Sequence, residues 1–283
     1  MTKFLKRVAI FLVLLLVILL VFVTNYIYQR NIKNSNYLGI ETVILGDSHT
    51  QNGLNDQMLP HCGNLSSSGE SYFYSFIKLR KLLEINKGIK TVVLSYGEHN
   101  LSLQVEQKWL LDDENIKSKF GTLFPFMQWE DIVFLLESKS YNISPLLIKA
   151  SVYYSIYSAE RQLLGKGLPF IGGYTPNTKC LQDSNLVSKN HEIDSYDIAN
   201  FQLEYLDKIY RLCKAEDIQL VLVNTPVFKG QKEFLNLKKY VKEDVTYLDF
   251  HQLDLDMTFF SDKNHLNPKG ASYLTNLVKK ELF

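Results

Sequence analysis

The sequence predicts an α/β fold: a mainly parallel sheet with helices on both faces, enlarged by a helical insertion and preceded by an N-terminal transmembrane helix. Short β-branched runs that lack apolar–polar alternation are separated by amphipathic stretches, as in a parallel sheet buried on both sides. Residues 103–194 break that rhythm. The third observation is at the start, where Val8 to Tyr28 is apolar except at Thr24 and Asn25.

At about 1.5 Å rise per residue, that apolar run reaches across a ~30 Å hydrocarbon core. Lys3, Lys6 and Arg7 precede it, which places the N-terminus in the cytoplasm and the rest outside. A cleaved signal peptide would have a shorter apolar region followed by small residues. Here the run ends Val-Thr-Asn-Tyr-Ile-Tyr-Gln-Arg, with no cysteine at its end to accept a lipid. The reading is an uncleaved single-pass signal anchor. Residues 1–33 form a cytoplasmic tip, the span and the start of a stalk, and residues 34–283 form an extracytoplasmic domain, periplasmic or cell-surface.

Charge supports this partition. The 283 residues carry 31 basic and 30 acidic side chains, a formal +1. Five of the basic residues and none of the acidic ones lie in 1–33, so the remainder is formally −4. Neither part has the basic excess of a nucleic-acid binder. An apolar share of 46 % with 22 % charged residues is that of a globular chain.

Along the soluble part, Asn31 to Tyr37 is polar and reads as a stalk. Thr42–Leu45, Thr91–Leu94, Gln219–Val223 and Val245–Leu248 read as buried strands. The first is ended by Gly46, the second near Gly97 and the third by Asn224-Thr225-Pro226. Helices are expected over Tyr72–Ile85, Tyr196–Cys213, Gln231–Val241 and Pro268–Leu282. In the second of these, Ile198, Phe201, Tyr205, Ile209 and Leu212 recur at helical spacing. The 103–194 insertion is first helical and aromatic, with Trp109, Phe124, Phe126, Trp129, Phe134, Tyr153, Tyr154 and Tyr157. It then becomes loop-like, with Gly165, Gly167, Gly172, Gly173 and Pro176. Its aromatics are core residues by default, and stacking on sugar rings is the functional alternative.

Two segments carry chemistry. Leu45-Gly46-Asp47-Ser48-His49-Thr50 follows the first strand, and a sharp strand-to-helix turn exposes a serine oxygen at the end of a sheet. The plain alternative is a helix cap built from Asp47 or Ser48. Near the other end, Asp262 and His265 stand three residues apart, and Asn267-Pro268 starts a helix just after them. That spacing lets a carboxylate fix the imidazole tautomer and frees Nε2 to take a serine proton.

A GDS turn after the first strand and a DxxH before the last helix together resemble the SGNH (GDSL-like) hydrolase superfamily. The resemblance implies a three-layer αβα sandwich with a flavodoxin-like sheet. It implies Ser48 as nucleophile, His265 as general base and Asp262 as its orienting carboxylate. The oxyanion hole would comprise the N–H groups of Ser48 and Gly69 and the side chain of Asn100. Gly69 lies in Asn64-Leu-Ser-Ser-Ser-Gly69, and Asn100 in Leu94-Ser-Tyr-Gly97-Glu-His99-Asn100. This last block departs from the family's Gly-x-Asn-Asp spacing, which makes His99 the fallback donor. Asp47, His49, His99 and Thr225 are expected around the pocket. The GDSH variant resembles membrane-associated polysaccharide O-acetylation proteins.

The expected function is therefore a serine esterase that removes O-acyl groups, O-acetyl above all, from a glycan. The alternatives are an O-acyltransferase served by a multi-pass membrane acyl-donor partner, and a catalytically silent glycan-binding module. No cofactor and no metal are expected. His61 and His191 read as loop residues, and Asp249 with His251 is a weaker acid–histidine pair. Cys62, Cys180 and Cys213 show no CxxC pairing, and at least one must be unpaired. Cys213, on the apolar side of a helix, reads as a buried thiol.

Overall fold

The computed structural model describes residues 2–31, 39–139, 141–164, 171–182, 197–229 and 235–283. Stalk positions 32–37, Gly165, Gly167, His191 and positions 231–234 of an expected helix lie outside the described residues. The chain runs α1 (Thr2–Asn31), β1 (Thr42–Leu45), α2 (Ser48–Gly53), β2 (Cys62–Asn64), α3 (Tyr72–Ile85) and β3 (Thr91–Ser95). It continues with α4 (Glu98–Leu101), α5 (Leu103–Trp109), α6 (Asp113–Leu123), α7 (Trp129–Glu137), α8 (Ser144–Leu163) and α9 (Asn200–Ala215). It ends with β4 (Gln219–Asn224), β5 (Thr246–Asp249) and α10 (Pro268–Leu282). Two compact units emerge: Met1–Lys33 with Ile116–Phe170, and Asn34–Asn115 with Ile171–Phe283.

The second unit is the α/β fold. Its five strands are ordered β2-β1-β3-β4-β5 and every neighbouring pair is parallel. This is the order of a flavodoxin-type doubly wound sheet. Ile44, Val93, Val221 and Val223 join Leu54, Phe260, Leu266, Leu274 and Val278 in one core cluster. The intervening residues Val43, Leu45, Val92, Leu94 and Leu222 are buried too. Both faces are covered, which is why the strands read as unbroken apolar runs. α3 packs on α9, and α10 on α2.

Two expected helices differ in extent. α9 begins at Asn200, because Ala199 N–H donates to Leu101 O and Ile198 bridges Ser102, which keeps the entry extended. In the described part of 231–241 there is only a 3-10 turn, Leu237–Tyr240. Leu235 N–H is taken by the Glu98 carboxylate, so it is lost to a helical ladder there.

The first unit contains α1, which packs against α8 and the Phe124–Phe126 turn. Phe4, Ile10, Phe11, Leu16 and Leu20 of α1 are exposed. Among the described residues no helix is long and apolar enough to cross a membrane. The expected transmembrane helix therefore gains no support from the fold.

Gly46 links the sheet to the site. It adopts φ +130°, and a Cβ there would lie 2.3 Å from Ser95 Cβ and 2.9 Å from Thr50 Oγ1. Only a residue without a side chain lets β1 turn into α2 against β3. We expect Gly46→Ala to cost about 3 kcal/mol or more, as strained φ adds to overpacking. Gly39→Ala is the control, because Gly39 also has positive φ (+88°) but nothing within 4 Å of its Cβ position. Equal urea-denaturation midpoints for the two variants would refute this account of the turn.

Candidate active site

The first strand delivers Ser48 through a capped turn. Asp47 is the N-cap of α2, its side chain accepting from His49 N–H, as the cap reading of this segment expects, and the Ser48 hydroxyl takes no part in the cap. At the other end, Asn267 caps α10 by accepting from Lys269 and Gly270 N–H, with Pro268 in the first turn. Ser261 N–H donates to His265 O, closing the turn that holds Asp262 and His265.

Residues 217 positions apart in sequence then meet: Ser48 Oγ lies 2.8 Å from His265 Nε2. His265 Nδ1 lies 2.9 and 3.0 Å from the two Asp262 oxygens. Asp262 Oδ1 also accepts from the backbone N–H groups of Asn264 and His265. The Asp262 side chain is 48 % exposed. Burial works to raise its pKa, but the hydrogen bond and charge of His265 and the two amides outweigh it and leave the carboxyl below its ordinary value. The three expected catalytic side chains thus form one hydrogen-bonded line.

Beneath this line lies a network that sequence reasoning missed. Asp47 is fully buried. Its Oδ1 accepts from His49 N–H (2.9 Å) and Ser95 Oγ (3.0 Å). Its Oδ2 takes bonds from His99 Nε2 and Asn100 Nδ2, both at 2.8 Å. Burial pushes the Asp47 pKa up, yet the charges and hydrogen bonds of His99 and His49 dominate and hold it far below the usual carboxylate range. Asp47 is therefore a foundation of the pocket and not part of its lining. Thr225 is buried as well, its Oγ1 lying 3.1 Å from His49 Nδ1.

The three histidines are layered. The His49 ring stacks on His99 at 4.0 Å between centroids and lies 4.9 Å from His265. Burial, followed by the His99 and His265 charges, pushes the His49 pKa well below its ordinary value, although Asp47 and Asp262 pull the other way. Asp47, His49 and His99 offer ligand atoms within 4.8 Å of one another. Near-parallel stacked rings do not converge their lone pairs on one ion, and four donors already surround the Asp47 oxygens. The cluster fits a hydrogen-bond network better than a metal centre.

The expected oxyanion donors divide. Among the described residues no acceptor engages the N–H of Ser48 or of Gly69. Asn100 accepts from Gly97 N–H through Oδ1 and spends one Nδ2 proton on Asp47, which leaves the second Nδ2 proton. His99, the fallback donor, has its Nε2 committed to Asp47. The loop bearing Gly69 is held from below by Lys78, buried with Glu70, whose Nζ also donates to Leu65 O.

A second missed feature is an extended strap, residues 171–182. Gly173 N–H donates to Ser66 O, Thr175 N–H to Gln51 O, and Leu181 N–H to Phe260 O. At Gly172 a Cβ would fall 2.0 Å from Leu65 O, so the strap lies directly on the loop before Gly69. The only sequence signal for it was the Gly172-Gly173 pair. At the weaker pair, Asp249 accepts from the backbone N–H of His251, while Ser48 Oγ lies against His265 Nε2. His61, at φ +48°, offers its carbonyl to Glu41 and Thr42 N–H as a turn residue. Cys62, Cys180 and Cys213 are free thiols, and burial pushes Cys62 and Cys213 up to about 12.

No protein-family model matches this chain. No curated protein matches it either. Among solved structures, one provisionally named a platelet activating factor from Streptococcus pneumonia superposes at a TM-score of 0.43 with 10 % identity. The match covers 98 % of this chain and 99 % of that one. A provisionally named acylhydrolase from Bacteroides fragilis gives a TM-score of 0.39 with 10 % identity, covering 88 % of this chain and 87 % of that one. At this distance, function has to be argued from the site's own geometry.

The His49 shift has a measurable sign. Unfolded, His49 takes up a proton near pH 6.5; folded, it stays neutral to lower pH. Its contribution to stability is present above pH ~6.5 and is lost as pH falls, with a slope of up to about 1.4 kcal/mol per pH unit. Asp47, also depressed, adds a further loss only below pH ~4. We expect His49→Gln to flatten the fall in stability between pH 7 and 5, measured by urea titration. A slope equal to that of the parent protein would contradict it.

Proposed function

We propose that this protein is a serine ester hydrolase in which Ser48, His265 and Asp262 act as nucleophile, general base and orienting carboxylate. The observation that carries the reading is the 2.8 Å approach of Ser48 Oγ to His265 Nε2, with Asp262 on the far ring nitrogen. A serine hydroxyl is a weak nucleophile until a base within hydrogen-bond reach takes its proton. In the proposed sequence, Ser48 Oγ bonds to the acyl carbon as its proton passes to His265 Nε2. The carbonyl oxygen becomes an oxyanion facing the unengaged N–H groups of Ser48 and Gly69 and the remaining Asn100 amide proton. Collapse breaks the ester C–O bond, and His265 returns the proton to the departing alkoxide. Water then repeats the sequence on the acyl-enzyme.

The substrate we propose is an O-acylated glycan, with O-acetyl the favoured group. This finer reading rests on the resemblance carried by Gly46-Asp47-Ser48-His49 and Asp262–His265. The apolar run Val8 to Tyr28 and its preceding Lys3, Lys6 and Arg7 support anchorage of α1 in a membrane with the second unit outside.

A chromogenic acetate ester assay on the full chain in detergent tests the chemistry. Ser48→Ala is expected to reduce turnover to background. Asp262→Asn should lower kcat by about 10²–10⁴-fold, the range a positioned acid–base group contributes. Equal rates for the parent and Ser48→Ala would eliminate the hydrolase and leave the silent glycan-binding module. An acyl-enzyme that forms but discharges only to an added sugar hydroxyl would shift the assignment to acyl transfer.

A further inference from the structure

α8 carries large apolar side chains on its outer face, unlike a helix in water. Ile148, Val152, Tyr153, Ile156 and Tyr157 are exposed, Tyr153 and Ile156 by 71 and 64 %. Among the described residues, its buried positions are Leu147, Ala150, Tyr154 and three serines, Ser151, Ser155 and Ser158. The Ser151 hydroxyl is satisfied within the helix, donating to Leu147 O four residues back. A water-soluble helix turns its serines outward and its isoleucines inward. Apolar side chains outside, with small residues against neighbouring helices, are the pattern of a helix facing lipid.

The neighbour identifies the occupant. α8 belongs to the same compact unit as α1 and packs on it, and α1 exposes large apolar side chains of its own. The two outward apolar faces form far more than the scattered exposure a soluble surface shows. From Pro145 to Tyr157, Lys149 is the one charged residue among the exposed positions. Tyr153 and Tyr157 stack in parallel at 6.4 Å, and the Arg161 guanidinium lies over Tyr157 at 5.8 Å. Amphipathic rings and long cations are the side chains that settle at a membrane–water boundary.

We propose that the outer face of α8 lies in the headgroup–acyl boundary of a lipid bilayer beside α1, so that the insertion serves as a second membrane contact. This rests on the anchorage of α1 proposed above. It does not depend on the ester chemistry.

The test uses the full chain with exposed Cys180 changed to serine. Single cysteines are introduced at Ile148→Cys and Ile156→Cys on the outer face, at exposed Lys87→Cys in the second unit as a polar reference, and at Leu12→Cys in α1. Each is labelled with a polarity-sensitive fluorophore in vesicles of phosphatidylcholine and phosphatidylglycerol, with and without nitroxide-bearing lipid. Positions 148, 156 and 12 are expected to lose at least half their emission to the nitroxide lipid, and position 87 little. Quenching at 12 alone, with 148 and 156 open to aqueous iodide, would overturn the α8 proposal and leave the anchor standing. No quenching at 12 would overturn both. Cross-linking between copies at position 156, with shielding from lipid and iodide alike, would assign the face to a second copy and overturn the lipid assignment.

Discussion

The Asp47 carboxylate has no contact with solvent, and four donors converge on its two oxygens. A buried charge survives folding only when its bonds replace those lost from water. The donors come from three places: the turn after β1 (His49 N–H), the end of β3 (Ser95) and the first turn of α4 (His99 and Asn100). One carboxylate thus fixes the distance between two strand ends and sets the orientation of His99. The His99 ring supports His49, and His49 flanks His265. Loss of Asp47 would leave several buried donors unpaired together, a heavier penalty than the loss of one hydrogen bond.

The sheet explains why these groups meet at all. In a parallel doubly wound sheet every strand ends on the same edge, and loops that leave that edge are neighbours whatever their sequence separation. β1 supplies Asp47 and Ser48, β3 leads to Gly97 and Asn100, and β4 ends at Asn224 before Thr225. The return from β5 to α10 carries Asp262 and His265. Asn64 ties the edge together from the side, donating to Thr50 O and Leu54 O in and after α2.

The site was legible where its geometry is local. The Asp262–His265 spacing, the Asn267-Pro268 helix start and the Gly46 turn are each settled within a few residues, and each could be read from sequence. That the sheet is parallel and covered on both faces was legible from its unbroken apolar runs, whereas its order came only with the family resemblance. What escaped were the long-range pairings that the resemblance does not supply. Nothing near Asp47 in sequence announces Ser95 or His99, and nothing near Gly172 announces Leu65. α8 shows a different limit. Its aromatics read as core residues by default, but composition does not say which face points inward, and Tyr153 and Tyr157 proved exposed while Tyr154 is buried.

The short link between Asp262 and His265 also changes how this site can be assembled. The carboxylate holds the ring nitrogen and, with the same oxygen, the His265 backbone amide, so acid and imidazole make one prefabricated part. Aligning three side chains from a long chain is an entropically costly search. Here it reduces to seating two rigid bodies, the elbow that carries Ser48 and the hook that carries the dyad, with a single gap left to close. A displacement of the hook would part Ser48 Oγ from the imidazole while leaving the Asp262–His265 pair intact.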